Sequence, residues 1–142
     1  MFDRTITLYN YKKSDKMWYG TVIRGCTLVA TDSSADSSRG TGSTSTVNIH
    51  VHCTKNQKLR TANKTFVPPK EFQQLESVTN AFTFTPEKDF MVVGKAMDEL
   101  EISDAQFENG LYNIVNHSVD DVYMVTNATW YSLLPHFVVG GR

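Results

Sequence analysis

Two histidines, His50 and His52, are the residues whose spacing comes closest to a metal site. They stand two apart in the alternating run 46–53, so both side chains lie on one face of an extended strand. A His-x-His pair on a strand can supply two zinc ligands, and His117 or His136 could supply a third. No Cys-x-x-Cys or His-Glu-x-x-His spacing accompanies the pair. We therefore expect the two histidines to be polar residues on the solvent face of a strand, without a metal.

The sequence offers little for nucleophilic or phosphate chemistry. It contains no Gly-x-Ser-x-Gly elbow, and many of its serines lie in the polar segment 32–45, where we expect the least positional order. A catalytic triad needs its nucleophile held within hydrogen-bond reach of a base. Gly40 and Gly42 form Gly-x-Gly without the helix or Lys-Ser/Thr of a phosphate loop. The acidic run from Asp98 to Glu101 is typical of a solvated edge. We therefore expect neither an enzyme nor a bound cofactor.

A nucleic-acid-binding barrel is the alternative from a different class. Basic residues cluster in the segment 54–64, and aromatic residues in the first two strand-like runs could stack on bases. These residues are Lys55, Lys58, Arg60 and Lys64, with Tyr9, Tyr11, Trp18 and Tyr19. The formal net charge is −1, so the same aromatics could equally pack the core or an interface.

Length and composition predict one compact unit. With 142 residues, the chain is expected to form a single domain over 1–142. It has no basic start followed by an apolar run and no stretch long enough to span a bilayer, so we expect a soluble protein without a membrane partner. Cys26 and Cys53 are expected to be reduced core residues.

Strand signals recur about every ten residues, which predicts an all-β fold, a small barrel or sandwich with one or two short helices. The clearest is the run 46–53, where Val47, Ile49, Val51 and Cys53 share one face. Gly25 is expected to mark a bulge or bend. The predicted strands are 5–11, 17–24, 26–30, 46–53, 81–85, 90–95, 112–118, 122–128 and 136–139, with hairpins joining 5–11 to 17–24 and 81–85 to 90–95, and short helices at 70–76 and 103–108.

The segment 32–45 is too polar to stabilise a fold by itself. Ordering its backbone costs on the order of 1–2 kcal/mol per residue, and it has almost no apolar surface to offset that cost. We expect it to be a mobile arm in the free subunit, open to proteolysis, and ordered by contact with another subunit. The candidate contact residues of this arm are Asp32, Arg39, Gly40, Gly42 and Ser45.

Several short segments together resemble a family of small neck (head–tail connector) proteins of tailed phages and prophages of Gram-positive bacteria. Ile6-Thr-Leu-Tyr-Asn10 and Trp18-Tyr-Gly-Thr-Val-Ile-Arg-Gly25 are similar to the opening hairpin of that family, and His136-Phe-Val-Val-Gly-Gly-Arg142 to its closing tail. The family's central segment is matched by 66–72, 82–86 and 89–94. The turn before Asp89 carries Glu87-Lys88, where the family more often has a glycine.

The resemblance implies a structural virion protein, a β-barrel subunit of the head-closure (stopper) ring. Such a subunit would form a homo-oligomeric ring, a hexamer by resemblance, with the portal and adaptor above and the tail terminator or tail tube below. It would help retain packaged DNA in the channel without sequence specificity. The implied location is the neck of the virion, assembled in the host cytoplasm. An adaptor, a tail terminator or a minor capsid protein are the neighbouring roles that the resemblance leaves open.

Overall fold

The computed structural model describes residues 4–31, 46–95 and 99–142, and they are mostly β-structure. The strands are β1 (Arg4–Lys12), β2 (Met17–Thr31), β3 (Thr46–His52), β4 (Thr65–Phe66), β5 (Ala81–Phe82), β6 (Phe90–Val93), β7 (Glu101–Ser103), β8 (Val122–Tyr131) and β9 (His136–Gly141). The helices are α1 (Pro69–Gln74) and α2 (Leu111–Ser118), with a 3₁₀ turn at Asp104–Gln106.

Six of the strands close into an antiparallel barrel. Their order is β1-β6-β8-β9-β3-β2, and β2 pairs back onto β1 to complete the circle. Strand β7 adds to the free edge of β2, while β4 and β5 form a separate parallel pair. The predicted all-β class is confirmed, and the architecture is a barrel with short helices.

The barrel interior is filled by the alternating faces of its strands. Val47, Ile49 and Val51 of β3 are buried and their neighbours are more exposed, as the period of two predicts. Cys53 continues this face and is fully buried. The interior also holds Ile6, Leu8, Ile23, Met91, Val125, Phe137 and Val139.

Strand β2 is one long strand that bends at a bulge. Its pairing with β1 shifts between Arg4↔Cys26 and Ile6↔Ile23, and Gly25 lies there with a φ of 72°. Glycine adopts this left-handed conformation without steric cost. The predicted break at Gly25 is therefore a bend within β2, which lets its first half pair with β1 and its second half with β3.

A second core covers the outer face of the barrel. The rings of Tyr9 and Phe90 stack with centroids 4.9 Å apart, and Trp18 meets Phe90 edge-on at 5.0 Å. Leu111 and Val115 of α2 are buried against this cluster. Strand β1 is therefore covered on both faces, because the barrel interior lies on one side and α2 with β7 on the other.

The segment 112–118 was predicted to be a strand, and this prediction is wrong because it forms α2. Leu111 and Val115, four residues apart, supply the buried stripe that a helix needs. The carboxylate of Asp104 accepts a hydrogen bond from the backbone N–H of Leu111 at 2.9 Å and thereby satisfies a free donor of the first turn. The predicted helix at 103–108 is reduced to the 3₁₀ turn, since Ser103 lies in β7.

The predicted hairpin between 81–85 and 90–95 is also wrong. Strand β5 pairs in parallel with β4, and β6 lies between β1 and β8. The turn between them exists: the backbone N–H of Asp89 donates to the carbonyl of Thr85 at 3.0 Å. Glu87 in this turn has a φ of 62°, which glycine tolerates better, and its carboxylate pairs with Arg142 at 2.8 Å.

The Asp89 carboxylate fixes this turn against the barrel. It is fully buried, and it accepts hydrogen bonds from Asn10 Nδ2 at 2.8 Å, from the Tyr11 N–H at 3.0 Å and from the Thr85 N–H at 2.9 Å. Burial raises the pKa of Asp89 to about 6, while the hydrogen bonds act in the opposite direction. The chain is thus held where it passes from the small β4–β5 sheet into the barrel.

The end of β9 passes so close to its neighbours that it needs glycine. A Cβ at Gly141 would lie 2.9 Å from Tyr123 Cβ and 3.1 Å from Val47 Cγ1. A Cβ at Gly140 would collide with Asn127 Oδ1 and lie 2.9 Å from Thr126 Oγ1. Both atoms are side-chain ends that can rotate away, because Asn127 is exposed and Thr126 is partly exposed. The two adjacent glycines therefore differ in the cost of substitution.

We expect Gly141→Ala to lower the free energy of unfolding by about 1–3 kcal/mol, because the atoms that it meets are fixed in the sheet and the core. Gly140→Ala is the matched control and should cost clearly less. Urea denaturation of both variants measures the difference. Equal losses, or a larger loss for Gly140→Ala, would show that β9 is not held at this distance.

Asp89 makes stability depend on pH. Its pKa in the folded protein is raised to about 6 from an ordinary value of 3.8, so the folded state binds the proton more tightly. The resulting stabilisation is complete below about pH 4 and is lost as the pH rises through about 6.

Asp89→Asn removes this titration, although its amide N–H atoms meet donors and weaken the fold at every pH. We expect the stability advantage of the wild type over Asp89→Asn, measured by urea denaturation, to shrink between about pH 4 and pH 7. An advantage that grows with pH would mean that the hydrogen bonds to the carboxylate outweigh its burial.

Candidate functional site

The hairpin of β8 and β9 carries an exposed apolar tip. Tyr131 pairs with His136 at its end, and the connection between them contains Leu133 and Leu134. These leucines are 94 % and 76 % exposed, and Tyr131 is 49 % exposed. Single exposed apolar residues are ordinary, but adjacent ones at the end of a projecting hairpin are typical of an interaction surface. We call Tyr131, Leu133 and Leu134 the hairpin tip.

The hairpin tip is anchored to the barrel. The backbone N–H of Cys53 donates to the carbonyl of Pro135 at 3.1 Å, and the His136 ring Nδ1 is hydrogen-bonded to the carbonyl of Leu134. In the strand pair directly below the tip, Trp130 packs on the buried Phe137 with ring centroids 4.8 Å apart. The two leucines are thus held outward by fixed backbone.

Three histidines lie next to the hairpin tip on the outer face of β3 and β9. The ring of His136 stacks on Tyr131 at 5.2 Å and on His50 at 5.4 Å, and His52 lies 6.1 Å from it. Burial lowers the pKa of His52, and the neighbouring His136, His50 and Arg60 lower it further. The surroundings of His52 therefore favour its neutral form.

The arrangement of the histidines differs from that of a metal site. The planes of His50 and His136 are only 12° apart, so the rings present faces to each other instead of converging nitrogens. Across the described ranges, no group of three or more His, Cys, Asp or Glu side chains is placed to hold a metal ion. His117 lies on the exposed side of α2.

The basic segment divides into two parts. Lys55 and Lys58 are exposed in a turn beside the hairpin tip, where the Thr54 N–H donates to the Lys58 carbonyl at 2.8 Å. Lys64 instead folds back onto β2 and donates to Thr21 Oγ1 at 2.7 Å; burial lowers its pKa. Lysines that could meet an anionic partner therefore lie next to the hairpin tip.

The aromatic residues considered for base stacking are mostly structural. Tyr9 and Trp18 are buried in the second core, on the outer face of the barrel. The ring of Tyr11 packs on Trp18, and the Lys88 ammonium lies 4.3 Å from the centre of the Tyr11 ring. Tyr19 donates to Asp15 at 2.8 Å. Of the two interpretations that the sequence left open, core packing is correct for Tyr9 and Trp18.

A cleft of about 280 Å³ lies between α2 and the segment before it. Its apolar surface comes from Phe107 and Ile114, the latter 45 % exposed on the outer side of the helix. Glu108, Asn113 and His117 are polar residues that line it and are exposed. We call this the α2 cleft.

The candidate contact residues of the arm, Asp32, Arg39, Gly40, Gly42 and Ser45, lie outside the described residues. The structure does show where the arm is attached. Thr31 and Thr46, the residues that flank it, are paired with each other, and the next residue, Val47, pairs with Gly141.

Both cysteines are free and buried, as predicted. Burial is the main cause that raises the pKa of Cys26 to about 12 and that of Cys53 to about 11. Of the acidic run, Glu99 and Glu101 are exposed, as expected for a solvated edge. No helix within the described parts of the chain is long and apolar enough to cross a membrane.

Sequence reasoning missed the hairpin tip and the α2 cleft. A signal for the tip exists: Leu133-Leu-Pro135 stands between two strands, where turns are usually polar. The α2 cleft had no such signal, because its segment was predicted to be a strand.

Fold and site together define a closed six-stranded antiparallel β-barrel with a projecting apolar hairpin. The chain belongs to a family of unknown function, DUF6751, whose model matches residues 1–142. No curated protein and no solved structure matches it.

We expect His50 and His52 to bind no structural metal, because their rings stack with or lie beside His136 instead of converging on one point. The melting temperature should not change when EDTA is added to the purified protein, and elemental analysis should find no stoichiometric zinc. A chelator-induced fall in melting temperature, reversed by zinc, would contradict this expectation.

Proposed function

We propose that this protein is a structural subunit of the neck of a tailed phage, part of the head-closure ring that joins the portal and adaptor to the tail. The observation that carries the proposal is the hairpin tip, two leucines held in water at the end of an anchored hairpin. Burying one such side chain contributes about 1.5–3 kcal/mol, which is available only on contact with a partner. The resemblance of several segments to phage neck proteins supplies the particular assembly.

An assembling subunit must stay soluble before it meets its neighbours. The hairpin tip exposes few apolar side chains, and the arm 32–45 is polar, so the free subunit has little surface that drives aggregation. Identical subunits form a closed ring when two different surfaces of each subunit meet and the rotation closes. A tip and an arm on one rigid barrel suit that requirement.

The cleft beside β2 and β7 is a weak candidate for catalysis. The cleft beside β2 and β7, about 200 Å³, contains Lys64, Tyr19 and Glu101. Lys64 is engaged by Thr21 and by the Gly20 carbonyl at 3.4 Å, and burial together with Asp15 raises the pKa of Tyr19 to about 12. Tyr19 therefore keeps its proton near neutral pH, and the Lys64 amine is occupied by its two hydrogen bonds. The neighbouring roles of adaptor, tail terminator and minor capsid protein belong to the same proposal and differ only in the position within the neck.

The proposal is tested first in the virion. We expect gold-labelled antibody against this chain to mark the head–tail junction of purified particles of the phage that encodes it, and genes for portal, adaptor and tail-tube proteins to lie beside its gene. Absence of the chain from purified, infectious particles would overturn the proposal. Tight, salt-sensitive DNA binding by the isolated monomer would instead support a nucleic-acid-binding barrel.

We expect the double substitution Leu133→Ser with Leu134→Ser to leave the barrel folded and to block assembly, because neither side chain packs in the free subunit. A phage carrying it should accumulate separate heads and tails, visible by electron microscopy. Removing residues 33–44 should have the same effect. Val29→Ser, at another exposed apolar residue, is the control and should leave assembly intact. Normal yields of infectious particles from both assembly variants would contradict the assignment.

A further inference from the structure

We propose that the hairpin tip of one subunit inserts into the α2 cleft of the next copy of this chain, so that each subunit gives a tip to one neighbour and receives a tip from the other. This inference rests on the proposed ring and names the contact that would build it. The two surfaces belong to the same chain and are different from each other, which is what a ring contact requires.

Size and chemistry match between the two surfaces. An apolar cavity of about 150 Å³ can hold a six-carbon ring, and a leucine side chain has only four carbons. The α2 cleft, of about 280 Å³, therefore has room for Leu133 and Leu134, with Phe107 and Ile114 as apolar contacts. In the free subunit, the two leucines are 94 % and 76 % exposed, so they fill no cleft of their own chain.

Charge supports the same pairing. Lys55 and Lys58 are exposed in the turn beside the hairpin tip, and Glu108 is exposed at the α2 cleft. Docking the tip would bring the positive turn of one copy toward the negative residue of the next, which steers encounter and fixes orientation. The chain as a whole is nearly neutral, so this complementarity is local.

Two other clefts suit the leucines less well. The cleft beside β2 and β7 is lined by Lys64 and Glu101, and another, of about 210 Å³, by Glu87, Lys88 and Asp104. Inserting leucine there would take charged groups out of water, which costs more than the apolar contact returns. Charged residues are fewer in the α2 cleft, where Glu108 can remain in water.

One tip contact is small. Stable interfaces bury about 800 Å² per partner, more than two leucines and a tyrosine can supply. Isolated subunits should therefore associate weakly, and closing the ring should make the contacts act together. A test must therefore trap the contact.

The experiment is disulfide trapping with Leu134→Cys and Ile114→Cys in one chain. Cys26 and Cys53 are buried and do not compete. Mild oxidation at high protein concentration should give a ladder of covalent dimers, trimers and larger species. A mixture of the two single variants should stop at a dimer that contains one of each. Leu134→Cys with Asn116→Cys is the matched control, since Asn116 is exposed on the same helix but does not line the cleft; it should cross-link at most one-tenth as much.

The outcomes separate this inference from the proposed function. Dimers from Leu134→Cys alone would show a tip-to-tip contact, and equal cross-linking through Asn116 would show random collision; either result overturns the inference, as does the absence of a ladder. If antibody still marks the head–tail junction in those cases, the neck assignment stands without this contact. A specific ladder together with a chain absent from virions would mean that the contact is correct and the neck assignment is wrong.

Discussion

The buried carboxylate of Asp89 is the interaction on which the path of the chain depends. Its three described donors come from β1 and from the turn that precedes β6, so it joins segments almost eighty residues apart. Asn10 extends the link, because its amide also donates to the Thr83 carbonyl at 2.6 Å. With the turn held there, β6 enters between β1 and β8, and the sheet can close. A buried charge has a high cost of desolvation, and this arrangement persists because donors from several segments face the carboxylate.

The β8–β9 hairpin both closes the barrel and carries the hairpin tip. At one end of β9, Gly141 packs against Val47 and Tyr123 at a distance that leaves no room for a side chain. At the other end, the carbonyl of Pro135 is tied to Cys53 of the barrel. The same strand therefore completes the closed barrel and holds the hairpin tip in place.

The sequence predicted those parts of the fold in which one face of a strand is buried and the other is not. Strand β3 is the clearest case, and the Gly25 bend follows from glycine's tolerance of a positive φ. Sequence reasoning failed at 112–118, because Tyr112, Ile114 and Val115 have a high propensity for strands. The helical stripe consists only of Leu111 and Val115, and it is too short to be recognised without knowledge of the core that it covers. Sequence reasoning failed again at 81–95, since the partners of β5 and β6 are set by contacts with distant segments such as Asn10. The α2 cleft could not be predicted because it lies between α2 and the segment before it, and 112–118 was predicted to be a strand.

The strand register also determines where the arm is attached and where the hairpin tip lies on the barrel. The arm leaves β2 and returns at Thr46, next to the Val47↔Gly141 pair, whereas the hairpin tip begins beyond the His52↔His136 pair. Five residue steps along β3, from Val47 to His52, separate these pairs, about 17 Å at 3.3–3.4 Å per residue. The attachment of the arm and the hairpin tip therefore lie at opposite ends of the β3–β9 ladder. Because one rigid barrel holds both, a partner bound at one end does not compete for the surface at the other. In the proposed ring, a subunit whose tip is bound to a neighbour therefore keeps the end with the arm accessible for a second contact.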